Sequence, residues 1–213
     1  MPHLSPSPVG RRTVLASAAV VLGLSLSGCG YTIGGPLKAT AAPVPTTEFS
    51  RLNESGVAQI NASKSVRLDF RTGAVAKSDV GLPESAYGPE LVAPQGEKYQ
   101  LSITGSEGTL TAQTDHVRFT TTDSMPTLDI IYYFLTADTA EEYFQLVRDG
   151  VKTLGIDQAD AERWISGVEA DPGKKSNYSQ GDGSALGFNV GYDLRYDGSK
   201  DTQVVIVTIS ASS

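Results

Sequence analysis

The chain is poor in the residue types that most often carry catalysis and metal binding. It holds one cysteine and two histidines among 213 residues, so an internal disulfide framework and a multi-cysteine metal cage are both excluded. Basic side chains are also in deficit, at 17 against 24 acidic ones, for a formal charge of −7. That balance argues against nucleic acid as a partner and against electrostatic docking on anionic lipid.

A long apolar run is lacking as well. The one candidate, residues 13–26, has fourteen residues before Ser27 and Gly28 interrupt it, whereas a helix that spans a bilayer needs about 20. The run follows the basic pair Arg11-Arg12. A short basic region before an apolar stretch of this length is typical of a secretory signal peptide, so the sequence predicts an exported protein.

The signal-like segment ends in Leu26-Ser27-Gly28-Cys29. This tetrapeptide resembles the lipobox of bacterial membrane lipoproteins at every position. The resemblance implies that signal peptidase II cuts between Gly28 and Cys29 and that Cys29 carries a diacylglyceryl thioether. Two acyl chains hold a protein on a bilayer stably, whereas one chain binds only marginally. The resemblance therefore implies a protein anchored to the cell membrane on its extracytoplasmic face.

The segment around the basic pair also resembles a twin-arginine export motif. It keeps both arginines of that motif, Arg11 and Arg12, but departs from it at Gly10, Val14 and Ala16. Paired arginines are also frequent in ordinary Sec signals, so the route of export stays open between the two pathways.

The remaining residues divide into a tether and a folded body. Residues 30–47 contain three prolines and little apolar periodicity, which is typical of a semi-extended tether. We therefore divide the chain into a cleaved signal peptide at 1–28, a lipidated cysteine with its tether at 29–47, and one domain at 48–213. Cleavage removes two of the 17 basic residues and no acidic one, which leaves 15 against 24 and a formal charge of −9.

The first half of the body has short and irregular β-like patterns. The apolar phase changes near Asp115, which indicates a bulge or a turn there. Residues 81–95 contain three prolines and are predicted to form a long loop. Alternation of apolar and polar residues predicts strands in this half, at 56–61, 66–70, 99–103 and 110–121.

The second half has clearer signals. Residues 128–135 are apolar on both phases, as in a central strand. Thr139 and Glu142 form a capping box, and Asp157 caps a second helical stripe. This order of elements predicts an α+β fold of one domain, with a mostly antiparallel sheet and a helical hairpin packed on one face. The predicted elements are helices at 139–154 and 158–170, a polar loop at 173–184, and a hairpin of strands at 186–196 and 203–210.

No catalytic, cofactor or metal site is assigned from motifs. His116 is the only histidine left after cleavage, and its position in an alternating strand favours a sheet face beside solvent. No Gly-x-Ser-x-Gly, Ser-x-x-Lys or His-Glu-x-x-His motif occurs in the chain. Asp197, Ser199 and Asp201 have the first spacings of a calcium loop, but its glycine and closing glutamate are missing. A hairpin turn is therefore favoured there.

One predicted loop, at 173–183, concentrates Lys174, Lys175 and Tyr178 in an acidic body. A solvated loop is the plainer interpretation. The functional interpretation is a binding loop for an anionic partner such as a wall polymer.

These observations favour a non-enzymatic binding or accessory module of the bacterial envelope, held on the membrane through Cys29. Its partner would be an anionic wall polymer, a small ligand or an envelope protein. One alternative is an envelope hydrolase with scattered catalytic carboxylates, and another is a structural module for protein–protein contacts. Two helices cover only one sheet face, so residues such as Ile131, Tyr133 and Leu135 need another cover. Either the first half of the body closes the core, or a cavity remains with the lysine-rich loop at its entrance.

Overall fold

A computed structural model describes residues 48–128 and 130–212, except for the side chain of Asp182. Arg11, Arg12, Gly28, Cys29 and the tether lie outside these residues. The described helices are α1 (Glu54–Ser63), α2 (Ala140–Leu154) and α3 (Gln158–Ala170). The described strands are β1 (Ser65–Asp69), β2 (Val75–Ala76), β3 (Glu90–Val92), β4 (Tyr99–Thr104), β5 (Thr109–Thr114), β6 (His116–Thr120), β7 (Thr127–Leu128), β8 (Ile130–Ala137), β9 (Lys175–Ala185), β10 (Phe188–Asp197) and β11 (Gln203–Ala211).

The strands form one large sheet and two small ones. The large sheet has six antiparallel strands in the order β3-β6-β8-β11-β10-β9. The second sheet has the order β1-β4-β5, in which β1 and β4 are parallel. Strands β2 and β7 form a two-stranded antiparallel pair. The predicted fold class, α+β with a mostly antiparallel sheet, is therefore confirmed.

Helix α2 begins and ends at the predicted caps. The Thr139 side chain accepts a hydrogen bond from the Glu142 amide at 3.1 Å, and the Glu142 carboxylate accepts one from the Asp138 amide at 3.2 Å. Gly155 ends the helix with a φ of 67°, which favours glycine. The helix turns its apolar stripe towards the large sheet, burying Tyr143, Phe144, Val147 and Leu154.

The face of the large sheet under α2 is the covered face. Its central residues stand in three rows across β8, β11 and β10, so the side chains of each row contact one another. Helix α2 approaches closely because Gly150 has no side chain. A Cβ at Gly150 would lie 2.5 Å from the ring of Tyr192. The rows are Ile131–Ile209–Val190, Tyr133–Val207–Tyr192 and Leu135–Val205–Leu194.

The opposite face of the same sheet is the open face. It presents alternate residues of the same strands, and these are only half-buried. At one side of this face the His116 ring stacks on Phe134, with 4.0 Å between ring centroids. The apolar residues of the open face are Ile130, Tyr132, Phe134, Val204 and Ile206.

Two segments differ from the prediction. Residues 56–61 belong to α1 and not to a strand. Asn53 caps this helix by accepting a hydrogen bond from the Gly56 amide at 3.0 Å, and Gly56 and Ile60 bury one face four residues apart. The polar stretch at 173–184 is mostly β9, an edge strand paired with β10 along its length. Short β3 also lies within the predicted loop at 81–95.

A buried lysine holds the irregular first half together. Lys77 is 1% exposed. Its ammonium group donates hydrogen bonds to the backbone carbonyls of Glu84 and Thr122, each at 2.5 Å. These charge-assisted bonds join two loops that come from distant parts of the sequence.

Candidate binding groove beside helix α2

A long groove runs along one flank of α2. It consists of two adjacent depressions, of about 980 Å³ and 540 Å³, whose linings share Lys98 and Leu146. The helix contributes residues spaced three or four apart, which places them on one flank. At 1.5 Å per residue this flank is about 17 Å long. Its members are Glu142, Gln145, Leu146, Asp149 and Thr153.

The opposite wall comes from the small sheet and the segment before it. Five consecutive residues of β5, Thr109 to Gln113, line the narrower depression. The segment 92–98 lines the wider one. Strand β5 lies beside β8, where the Thr114 hydroxyl donates to the Phe134 carbonyl at 2.8 Å. The small sheet and α2 therefore cover the same sheet face, but they leave a gap between them.

The floor of the gap is the covered face of β8 and β10. Tyr133, Leu135 and Tyr192 line it, so part of the covered face is reached from outside. Tyr133 is 2% exposed, and its hydroxyl makes no hydrogen bond with any residue in the described ranges. The hydroxyl is not one of the fully buried polar atoms without a partner, which are Trp164 Nε1 and Gln180 Oε1 in the described ranges, so it is accessible from the groove. Burial raises the pKa of the Tyr133 phenol far above its usual range, so the hydroxyl keeps its proton. It offers both a donor and an acceptor to a bound molecule.

The rim of the groove is mainly acidic. Glu142 and Asp138 lie at its wider end and Asp149 near its middle, while Lys98 is the basic residue shared by both depressions. The carboxylates are already engaged with the scaffold. Asp149 accepts from the Gln145 amide group at 2.7 Å, and Asp138 accepts from the Thr202 hydroxyl at 3.2 Å. These hydrogen bonds fix the positions of the two carboxyl groups on the rim.

His116 lies at the wider end of the groove, on a sheet face as predicted. Its Nε2 lies 2.5 Å from a Glu90 carboxylate oxygen, and Arg118 contacts the same oxygen at 2.7 Å. Both hydrogen bonds lower the pKa of Glu90, and the one from Arg118 has the larger effect. The His116 ring is therefore placed against a carboxylate and Phe134 and not against a serine or threonine hydroxyl.

The predicted binding loop at 173–183 is mostly strand β9 and not a loop. Lys175 and Tyr178 lie in β9 and, being three residues apart, point to opposite faces. The Tyr178 hydroxyl donates to Asp160 of α3 at 3.3 Å. Lys175 instead lines a depression of about 380 Å³ on the open face, with Phe134 and Ile206. Lys174 precedes the strand in a turn. Neither of these lysines nor Tyr178 lines the α2 groove.

Within the described ranges, no cluster of three histidine, cysteine, aspartate or glutamate side chains could hold a metal ion. The Asp197 carboxylate accepts from the Ser199 amide at 3.1 Å and from its hydroxyl at 2.6 Å. The stretch with calcium-loop spacing is therefore a hydrogen-bonded hairpin turn. No helix of the described part is long and apolar enough to cross a membrane.

The sequence-based expectation that Ile131, Tyr133 and Leu135 lie on the face left free by the helices is wrong. They lie on the covered face, in the same rows as residues that pack under α2. The walls of the groove were also missed. One available signal was the flank of α2 beside its apolar stripe. That flank mixes Leu146 with Glu142, Gln145 and Asp149, which is unusual for a fully solvated helix face. Comparisons with models of known protein families, with curated proteins and with solved structures found no match.

Proposed function

We propose that the protein is a lipoprotein anchored through Cys29 on the extracytoplasmic face of a bacterial membrane, and that its folded part is a binding module of the envelope. The lipobox resemblance of Leu26-Ser27-Gly28-Cys29 supports the anchor. The observation that carries the binding role is the groove beside α2, since it joins an apolar floor to a polar rim. Ligand sites commonly have this composition.

The Tyr133 hydroxyl adds a polar group to the apolar floor. It makes no hydrogen bond with a residue in the described ranges, so it can donate to or accept from a bound molecule. The groove therefore offers both apolar contact and a hydrogen-bonding group to a ligand.

A hydrolase with scattered carboxylates receives less support. General acid–base catalysis needs a carboxyl group placed to exchange a proton with the substrate. Asp149 and Asp138 on the rim are instead hydrogen-bonded to neighbouring side chains, and Glu142 caps α2. The groove is thus better suited to holding a molecule than to cleaving one.

The anchor is tested by replacing Cys29 with Ala in the full chain and fractionating the cells. The original protein is expected in the membrane fraction, with a lipid mass increment on its N-terminal peptide. The C29A variant is expected to leave that fraction. Equal membrane retention of both proteins, together with an uncut N-terminus in the original, would contradict the anchor.

The binding role is tested by native mass spectrometry of the protein purified from its own host. We expect a bound species that is lost in Ala112→Phe, since Ala112 lines the narrow depression. The matched control is Thr208→Phe, which adds the same ring on the open face. A spectrum without any bound species for the original protein would count against the binding role, as would equal retention in both variants.

A further inference from the structure

We propose that the α2 groove receives an extended, basic peptide segment of another envelope protein, which adds as a further strand to the free edge of β5. This inference rests on the binding role proposed above and names the chemistry of the partner. It is carried by the edge of β5, by the dimensions and floor of the groove, and by the charge of its rim.

Strand β5 is an edge strand. Among the described residues it pairs with β4 alone, since the small sheet has the order β1-β4-β5. In an antiparallel pair, every second residue directs its N–H and C=O groups away from the partner strand. Such a row of unpaired groups is a template for an added strand, a mode that many peptide-binding domains use.

The groove follows this edge and not one face of β5. All five residues from Thr109 to Gln113 line it, and successive side chains of a strand point to opposite faces. Both phases reach the groove only when it runs beside the strand. The five residues span about 17 Å at about 3.4 Å each, which matches the flank of α2 across the gap.

The floor suits alternate side chains of an added strand. Tyr133, Leu135 and Tyr192 form the apolar floor between β5 and α2. Side chains on one phase of the peptide would lie on this floor, while those on the other phase would point to solvent and the rim. The Tyr133 hydroxyl could hydrogen-bond to a backbone group of the peptide.

The charge of the rim determines the sign of the partner. Asp138, Glu142 and Asp149 line the groove together with Lys98, and the whole chain carries a formal charge of −7. A second copy of this chain or an anionic wall polymer would bring like charge to the rim, which opposes association. A segment with lysine or arginine on its outer phase is complementary to the rim.

The test uses the full chain, solubilised in detergent, and two fluorescent peptides of eight residues, one alternating valine with lysine and the other valine with glutamate. We expect the lysine peptide to bind at least about tenfold more tightly, with an affinity that falls as salt rises. Asp149→Lys should weaken its binding at least about fivefold, whereas the control Glu169→Lys, on the exposed face of α3, should leave it unchanged. Lys98→Glu should strengthen the binding of the lysine peptide. This second variant tests the charge of the rim even if Asp149→Lys does not fold.

Strand addition is tested separately by N-methylation of the lysine peptide at either its odd or its even residues. One pattern blocks the edge that faces β5 and should abolish binding, while the other should have little effect. Equal affinities of the lysine and glutamate peptides, or no effect of either methylation pattern, would overturn the inference. If neither peptide binds but a native ligand is displaced by Ala112→Phe, the basic peptide is wrong and the binding role stands. If no native ligand is found either, both the basic-peptide inference and the proposed binding role are wrong.

Discussion

The two faces of the large sheet are built from similar residues but have different environments. On the covered face, Ile131, Val207 and Ile209 are fully buried beneath α2 and the small sheet. On the open face, Ile130 and Ile206, from the same strands, are only half-buried. Apolar residues on both phases of a strand therefore do not require a second layer. Neighbours in the same sheet shield them in part, and the remaining exposed area is tolerated.

The comparison predicts that equal truncations on the two faces have unequal costs. Ile209→Ala should lower the free energy of unfolding by about 2–5 kcal/mol, because it leaves a cavity in a closed core. Ile206→Ala, in the same strand, should lower it by about 1 kcal/mol or less, because water or neighbouring side chains reach the space. Urea unfolding of both variants measures the difference. Equal losses would show that something covers the open face in solution.

Alkaline pH should lower the free energy of unfolding through the tyrosines buried at the covered face. Burial raises the pKa of Tyr133, Tyr143 and Tyr192 well above the ordinary value of 10.0. The unfolded chain loses these protons near its ordinary pKa, whereas the folded chain keeps them. Stability is thus full below pH 10 and falls above it, by about 1.4 kcal/mol per pH unit for each tyrosine. Urea unfolding between pH 8 and pH 11 measures this slope.

Tyrosine-to-phenylalanine variants separate the contributions to that slope. Tyr143→Phe should reduce the slope, and at pH 7 it should cost about 1 kcal/mol, since its hydroxyl donates to the Val204 carbonyl at 3.3 Å. Tyr133→Phe should reduce the slope equally but cost no stability at pH 7, because its hydroxyl makes no hydrogen bond with a residue in the described ranges. Native-state ionisation of all three tyrosines near pH 10, followed by absorbance, would contradict the burial.

The smallest expected effect lies at the edge of the open face. The hydrogen bonds from Arg118 and then His116 hold the pKa of Glu90 below its ordinary value of 4.5. The stabilising effect of this contact is present above that pKa and is lost as pH falls through the lowered one. Arg118→Gln should raise the pKa of Glu90, and His116→Gln should raise it less, as measured by an NMR titration. An unchanged Glu90 pKa in Arg118→Gln would show that the contact does not persist in solution.

Much of the fold could be predicted because local and tertiary signals agree there. Helix α2 has a complete capping box, one apolar stripe and a terminal Gly155, and each signal points to the same element. Strand β9 escaped prediction because an edge strand on a half-solvated sheet needs no apolar alternation; Tyr178 is its one large apolar residue. Helix α1 escaped it because a few apolar residues over six positions fit either period.

The groove could not be predicted for a different reason. Its walls come from β5 and α2, which are separated in sequence by β6, β7 and β8. No local pattern records how far apart two such elements lie after packing. The sequence could indicate that Tyr133 is apolar enough to need burial, but it could not indicate that α2 and the small sheet share that face or that they leave a gap.

The two hydrogen bonds of the buried Lys77 have a consequence for the order of folding events. The bond to Thr122 closes a loop of 45 residues, and closing a loop of that length costs chain entropy before any contact compensates for it. The bond to Glu84 joins residues only seven apart in sequence, so it closes a much smaller loop. We therefore expect the β2–β7 region to consolidate late, after the hairpin of β10 and β11 has formed from neighbouring residues. Replacing Lys77 should then accelerate unfolding far more than it slows folding.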